Sequence, residues 1–301
     1  MSQQNVPPLE EFDARLVQAP LQGLLRNMDC ELVRRLKQAM LSSDKESERR
    51  LALLLIMLRF TKNSYEAVSF LCSSMDENPK RKREFVLLLP PANRQILDLL
   101  FTLVYMLDDF SERSMAYELS GYRQAREEYE KFHARFGTHP KWQSHFLKLQ
   151  ELRQDMEKYL SITPEQHAKP NIIPYWRAPY KLMQKATKSQ SFMQFLEKWL
   201  YGETSAQAHL NPAGLFSVGA FLLPDFAPED ERTILLDRNL QQYTFRHFTR
   251  TLTTVLAIAS EIDNFCQLNN WETLVRLWVL LGGYAEEAQD VYTERYQAML
   301  N

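Results

Sequence analysis

Residues 21–36 read LQGLLRNMDCELVRRL, and apolar side chains recur in this stretch at every third or fourth position. The recurring residues are Leu21, Leu24, Leu25, Met28, Leu32 and Leu36. An α-helix has 3.6 residues per turn, so this spacing places all of them on one face. The stretch therefore predicts an amphipathic helix that buries one face against the rest of the protein.

The same spacing continues along the chain and indicates the fold class. It recurs at Leu51, Leu54, Leu55 and Leu58. Glycines are few, at eight in 301 residues, and no segment alternates apolar and polar residues between turn signals as a strand does. We predict an all-α fold, a multi-helix bundle of about ten or more helices with no significant sheet. Helices are expected near residues 9–18, 21–41, 46–61, 63–76, 81–88, 92–110, 112–136, 141–160, 178–188, 190–209, 229–266 and 270–300.

The segment HAKPNIIPYWRAPY (167–180) does not fit a helix, because it carries three prolines among its aromatic residues. It could be a linker between residues 1–165 and residues 180–301, or a strap packed on the core. Its apolar content favours the strap. We therefore predict a single helical domain over residues 1–301, with a subdivision near 165–180 as the alternative.

Composition excludes several classes of protein. With 45% hydrophobic and 25% charged residues the chain is an ordinary globular protein, and its net charge of -2 provides no global field for nucleic acid. Three widely spaced cysteines fit neither a disulfide framework nor a paired zinc site. The first residues, MSQQNVPPLEEFDARL, lack the apolar core of a secretory signal, and the apolar runs are too short to span a bilayer. We expect a soluble, cytoplasmic protein with no membrane contact.

The helix NRQILDLLFTLVYMLDD (93–109) carries polar groups on an otherwise apolar surface. Arg94, Asp98, Phe101 and Tyr105 fall within one arc. Arg94 and Asp98 are four residues apart and can pair, which leaves the other edge of the guanidinium available to an anion. Three interpretations stay open: a solvent-exposed face, a buried structural pair, or a binding or catalytic pocket.

A second polar constellation lies in WLYGETSAQAHLNPAG (199–214). Tyr201, Ser205 and His209 are spaced four residues apart and share a helix face, which ends near Pro212. The negative end of a helix favours a protonated imidazole, so His209 suits proton donation or anion contact. A histidine that only caps the helix is the alternative interpretation.

These elements resemble a group of bacterial all-helical proteins of unknown function. The resemblance covers residues ~50–125 and ~195–215 and rests on SYEAVSFL (64–71), NRQILDLLF (93–101), ERSMAYELSGYR (112–123) and the Tyr-x3-Ser-x3-His of 201–209. That group typically carries an Arg-x3-Glu helix, a Tyr-rich helix and a later Ser-x3-His segment. The resemblance implies that Arg94, Asp98 and His209 belong to one site, although Asp98 stands where the group has Glu. Arg113 and Tyr117, with Tyr122, match the Tyr-rich element and are implied to line the same cavity.

Common catalytic motifs are missing from the sequence. It contains no GxGxxG, no GxxxxGK[ST], no HExxH and no GxSxG motif, and its histidines lack metal-ligand pairing. We therefore expect no cofactor and no metal site. One match is similar to the Arg-x4–6-His motif of all-helical HEPN-type ribonucleases, namely Arg126 and His133 in REEYEKFH (126–133). The strongly charged residues between them favour a solvated helix face.

Two surfaces could contact partners. NPKRKRE (78–84) packs four basic residues, and such a run is most often a solvated loop. The C-terminal helices, with 245–265 and 271–292, are apolar enough to close the bundle or to form a homo-oligomer interface. Partners are otherwise unassigned, with an anionic small molecule or RNA as the candidates.

The sequence leads to two functional hypotheses. The first is a binding or interaction module whose polar pocket of Arg94, Asp98, Tyr105, Ser205 and His209 holds an anion. The second is a metal-independent nuclease, such as a toxin or defence effector, in which His209 acts as general acid or base while Arg94 holds the phosphate. Arg126 and His133 are the less favoured pair for the same chemistry.

Overall fold

A computed structural model describes residues 15–77, 85–209, 212, 214 and 229–300 of the chain. The fold is all-α, as predicted, and the described residues form helices joined by turns, with no strand among them. The helices are α1 (Arg15–Leu41), α2 (Lys45–Glu77), α3 (Leu89–Leu107), α4 (Phe110–Phe136), α5 (Gln143–Tyr159), α6 (Pro164–Ala168), α7 (Pro179–Met183), α8 (Gln190–Leu196), α9 (Gly202–Ala208), α10 (Glu229–Cys266), α11 (Trp271–Gly282), α12 (Glu286–Val291) and α13 (Gln297–Leu300). Wider π-helical turns connect α8 to α9 at Glu197–Tyr201 and α12 to α13 at Tyr292–Tyr296.

The chain divides into two compact units. Unit 1 comprises Met1–Val104 and Ala186–Asn301, and unit 2 comprises Tyr105–Lys185. The first boundary falls inside α3, where the sequence has no proline or glycine to mark it. The single domain over residues 1–301 stays a prediction, and so does its alternative, a subdivision near 165–180.

Helix α10 forms the centre of unit 1. Every residue from 247 to 263 is buried, and the helix packs against α1, α2, α11 and α12. A helix that is buried on all its faces belongs to the core. The run contains threonines and a serine, whose hydroxyls donate to backbone carbonyls one turn back in the same helix, as Thr253 does to Thr249 at 2.8 Å. Residues 245–265 were predicted either to close the bundle or to form a homo-oligomer interface. Their burial shows that they close the bundle.

In unit 2, the middle of the segment 167–180, which we call the strap, packs against α4 through Ile173 and Trp176. Ile173 is 1% exposed and clusters with Tyr122 of α4 and Leu160. The Arg123 guanidinium, also on α4, donates to the Ile173 carbonyl at 2.5 Å, and the Trp176 backbone N–H donates to the Ser120 hydroxyl at 2.6 Å. These contacts fix the strap on α4, which agrees with the strap interpretation.

Helix boundaries follow local signals where the sequence supplies them. Helix α6 begins at Pro164, where the Thr163 side chain caps it in a reciprocal capping box with Gln166. Helix α2 is continuous where two helices, 46–61 and 63–76, were predicted, and the helix predicted over 178–188 is only Pro179–Met183. The basic run 78–84 lies outside the described residues, as does most of 210–228.

Across the described part of the chain, no helix is both long enough and apolar enough to cross a membrane.

Candidate functional site

The side chain of Arg94 on α3 is held by two partners in unit 1. Its Nε donates to the Asp98 carboxylate at 2.8 Å, which is the pair that the i, i+4 spacing predicted. Its Nη2 donates to the hydroxyl of Tyr201, and its Cζ lies 3.6 Å from the centre of the Tyr201 ring. Arg94 is 12% exposed. We call Arg94, Asp98 and Tyr201 the Arg94 site.

One nitrogen of this guanidinium is left over. The Nη1 of Arg94 is buried and meets no hydrogen-bond acceptor among the described residues. A buried donor without an acceptor costs about 1–3 kcal/mol, and more when the group is charged. The Arg94 site therefore has an unused donor.

Tyr201 reaches Arg94 from a π-helical turn. It is the last residue of the turn Glu197–Tyr201, where one extra residue per turn shifts the side chains relative to an α-helix. Its ring meets Phe101 of α3 edge to face, with the centroids 5.1 Å apart and the planes at 61°. Burial raises the pKa of the Tyr201 hydroxyl. The hydroxyl is therefore kept protonated while it accepts from Arg94.

Asp98, the counter-charge of Arg94, is partly buried. Burial raises its pKa, and this effect outweighs the opposing influence of Arg94 and His209. His209 thus lies close enough to Asp98 for its charge to act on the carboxylate. His209 ends α9, where its backbone N–H donates to the Ser205 carbonyl at 3.1 Å, and its side chain is exposed.

The predicted residues Tyr105, Arg113 and Tyr117 belong to unit 2 and are joined there by Trp176 of the strap. The Trp176 ring meets Tyr105 and Tyr117 edge to face, at centroid distances of 5.6 and 5.1 Å. The Arg113 Cζ lies 4.0 Å from the centre of the Tyr105 ring, and its Nη1 donates to the Tyr105 carbonyl at 2.7 Å. Trp176 lies in the segment 167–180, and its distance along the chain from these tyrosines gives no sign that the three side chains meet.

A buried polar network in unit 1 was missed by the sequence analysis. The Asn93 amide on α3 donates to the His247 carbonyl at 2.8 Å and lies 3.2 Å from the ring Nδ1 of His247. The Thr251 hydroxyl donates to the amide oxygen of Asn93. Burial, together with the positive charges of Arg250 and Arg246, lowers the pKa of His247 to about 3. The imidazole is therefore neutral and structural.

The charged half of the network centres on Arg250, which is 3% exposed. Its guanidinium donates to Glu203 of α9 at 2.8 Å and to both carboxylate oxygens of Glu287 on α12 at 2.8 Å. Burial opposes the charge of Arg250, but these two carboxylates outweigh it and raise the pKa of the arginine. The only signal in the sequence is the presence of charged residues at the start of the apolar run 245–265.

Arg126 and His133, which both lie on α4, contact different partners. Arg126 donates to Glu130 at 2.8 Å and to the carbonyl of His167. The His133 ring stacks on Tyr129 and meets Phe146 at a centroid distance of 5.2 Å. A shared function for this pair stays a prediction.

Among the residues that the structure describes, no three His, Cys, Asp or Glu side chains cluster closely enough to hold a metal ion. Comparisons of the chain with models of protein families, with curated proteins and with solved structures found no match. The geometry of the chain is therefore the basis for any functional assignment.

Proposed function

We propose that the protein is a binding module, and that the Arg94 site holds an anionic small molecule with a carboxylate or phosphate group. The observation that carries this proposal is the buried Nη1 of Arg94, for which no acceptor occurs in the described part of the chain. A planar guanidinium binds carboxylate and phosphate oxygens through paired N–H groups. An anion would supply the acceptor that Nη1 lacks.

The orientation of Arg94 supports the proposal. Asp98 holds Nε, so the guanidinium needs little new ordering when a ligand arrives. His209, which is exposed at the end of α9, is a second group that could contact the anion.

The π-helical turn at Glu197–Tyr201 is a further argument. Such turns are rare and occur frequently at functional sites. This one ends at Tyr201, the residue that covers Arg94. Movement of the Tyr201 side chain would open Nη1 to a ligand, since Nη1 is shielded from solvent in the structure.

A metal-independent nuclease is the second candidate. The observation that favours it is the influence of His209, exposed at the end of α9, on the pKa of Asp98, which is the partner of Arg94. His209 would transfer the proton and Arg94 would stabilise the phosphate. His209→Ala would then abolish cleavage of an RNA substrate while leaving the melting temperature unchanged.

To test the binding proposal, the protein is titrated with inorganic phosphate and, separately, with acetate. Calorimetry measures the binding, and the melting temperature is measured with and without each anion. The unmodified protein should bind one of these anions and gain thermal stability. Arg94→Met should weaken that binding by about 10- to 100-fold, because it removes a charge-assisted hydrogen bond worth ~1.5–3 kcal/mol.

Arg34→Met is the matched control. Arg34 is also paired with a nearby acid on the same helix, Glu31, but it is 56% exposed. The control should bind the anion like the unmodified protein. Equal binding by Arg94→Met and Arg34→Met would contradict the proposal, and so would a failure of both anions to bind.

A further inference from the structure

Unit 2 contains a cavity between α4 and α5 that is independent of the Arg94 site. Its volume is about 370 Å³. We call it the aromatic cavity, and its lining residues are Tyr122, Ala125, Glu128, Tyr129, Phe132, Trp142, His145, Leu149, Leu152, Arg153 and Met156. Small-molecule sites typically occupy about 300–1,000 Å³. The cavity is therefore large enough for a small ligand.

The walls of the cavity are mostly apolar and remain accessible. Phe132 is 53% exposed, Leu152 is 58% exposed and Trp142 is 39% exposed. Three large apolar side chains around one cavity lose favourable free energy by staying in water. An apolar ligand group bound between these side chains would remove them from water and so gain that free energy.

Arg153 supplies a charge within this apolar lining. Its guanidinium lies over the ring of Tyr129, with Cζ 5.2 Å from the centroid, and its side chain is 23% exposed. Its Nε is buried and lies 3.4 Å from Oε1 of Glu157 without making a hydrogen bond. No other acidic partner of Arg153 occurs among the residues described.

The nearby carboxylate is already shared. The same Oε1 of Glu157 accepts a hydrogen bond from the Tyr122 hydroxyl at 2.8 Å and lies 3.6 Å from Nε2 of His167. Three groups thus face one oxygen of Glu157: the Tyr122 hydroxyl makes a hydrogen bond to it, while Arg153 and His167 lie farther away. Arg153 pairs with Glu157 without a hydrogen bond at Nε, so an anionic ligand can bond the guanidinium while that ion pair stays in place.

We propose that the aromatic cavity binds an amphipathic anion, with an alkyl or aromatic body between α4 and α5 and one acidic group at Arg153. An amphipathic cation fits less well. The acidic residue of the lining, Glu128, is exposed, whereas the guanidinium of Arg153 is the more buried charge. The site shares no residue with the Arg94 site.

The probe is 1-anilinonaphthalene-8-sulfonate, which joins an aromatic body to one anionic group and becomes fluorescent in apolar surroundings. The full chain should bind it at a single saturable site. Dodecanoate should displace the probe, while dodecyltrimethylammonium, with a similar alkyl chain and the opposite charge, should not. Displacement by both compounds in equal measure would overturn the role of Arg153.

Variants locate the site. Arg153→Met should weaken probe binding about tenfold or more, and Arg153→Lys should keep most of it. Lys158→Met is the matched control, because it removes an exposed positive charge from the same helix outside the cavity. Equal affinities of Arg153→Met and Lys158→Met would overturn the proposal.

A second variant keeps the test decisive if Arg153→Met is unstable. Ala125 lines the cavity from an exposed position on α4, so Ala125→Trp should fill the cavity without disturbing the core. It should abolish probe binding, whereas Arg94→Met should leave it intact. Unchanged binding by Ala125→Trp would overturn the proposal.

Probe binding by the unmodified protein that is absent, or that falls with increasing protein concentration, would also overturn the proposal. Either result would indicate that another segment of the chain or a second copy covers the cavity.

Discussion

His247 is an example of a residue whose chemistry depends on burial. The Thr251 hydroxyl bonds the amide oxygen of Asn93, so the amide nitrogen must face the carbonyl and Nδ1 of His247. Nδ1 is then the acceptor, and the ring proton resides on Nε2. Arg246 and Arg250 stand near the ring and oppose a second proton.

The low pKa of His247 predicts loss of stability in acid. The pKa is lowered from an ordinary value of 6.5 to about 3. As pH falls below 6.5 the unfolded chain binds a proton at this position and the folded chain does not, so the free energy of unfolding falls. At about 1.4 kcal/mol per pH unit, the loss from this residue between pH 7 and pH 5 is about 2 kcal/mol. His247→Asn should remove this part of the pH dependence in urea unfolding measured at several pH values.

Thr251→Val provides the comparison for that measurement. It removes the hydroxyl that orients Asn93 but retains the histidine. The variant should be less stable at every pH, with the same slope as the unmodified protein. If His247→Asn also kept that slope, His247 would not be the source of the acid sensitivity.

At the scale of elements, the end of α10 is stabilised by a residue from α1. The last turn of α10 has no basic residue of its own. The Arg35 guanidinium donates to the carbonyls of Cys266 and Gln267 at 2.5 and 3.1 Å. These carbonyls are left without helical partners at a carboxyl terminus, where a positive charge is favourable.

Arg35→Met should therefore lower the stability of the protein. Loss of the two hydrogen bonds and of the charge should cost about 1–2 kcal/mol, measured by urea unfolding. Arg34→Met is the control, since Arg34 shares the Glu31 carboxylate but is itself exposed. The control should change stability by less than about 0.5 kcal/mol, as exposed pairs contribute little. Equal effects of the two substitutions would contradict the capping role.

The π-helical turns show the limit of prediction at this scale. The sequence predicts one helix over 190–209, and the structure has a helix there, interrupted by the wider turn at Glu197–Tyr201. Periodicity locates the helix because its apolar spacing is local. It does not locate the turn, which is stabilised by contacts of Tyr201 with Arg94 and Phe101 from another part of the chain.

For the whole molecule, the two C-terminal helices have different surroundings. Helix α10 is enclosed over residues 247–263 and cannot present that segment to a partner. Helix α11 keeps Trp271 and Val279 exposed at 51% and 58%. These two residues are eight positions apart and share a face. The predicted homo-oligomer, if formed through these helices, would use α11.

We expect self-association through this face of α11 to make the melting temperature rise with protein concentration. Val279→Asp should remove that dependence and give the mass of one chain, 35.5 kDa, in sedimentation equilibrium at micromolar concentration. Val279→Ala is a milder control that keeps the face apolar. If the unmodified protein itself had the mass of one chain at micromolar concentration, the prediction of a homo-oligomer would be wrong.

The fold class, most helix positions and the Arg94–Asp98 pair follow from the amino-acid sequence alone. Each of these depends on residues a few positions apart, where helical periodicity fixes which side chains share a face.

Only the tertiary structure decided that Tyr201 covers Arg94, that Asn93 meets His247, and that Arg250 lies between Glu203 and Glu287. It also decided that residues 167–180 pack as a strap and that α4 and α5 enclose the aromatic cavity. The partners in these contacts are tens to more than a hundred residues apart in the chain. Helix packing brings them together, and the spacing of residues within one helix carries no information about which distant helix it will contact.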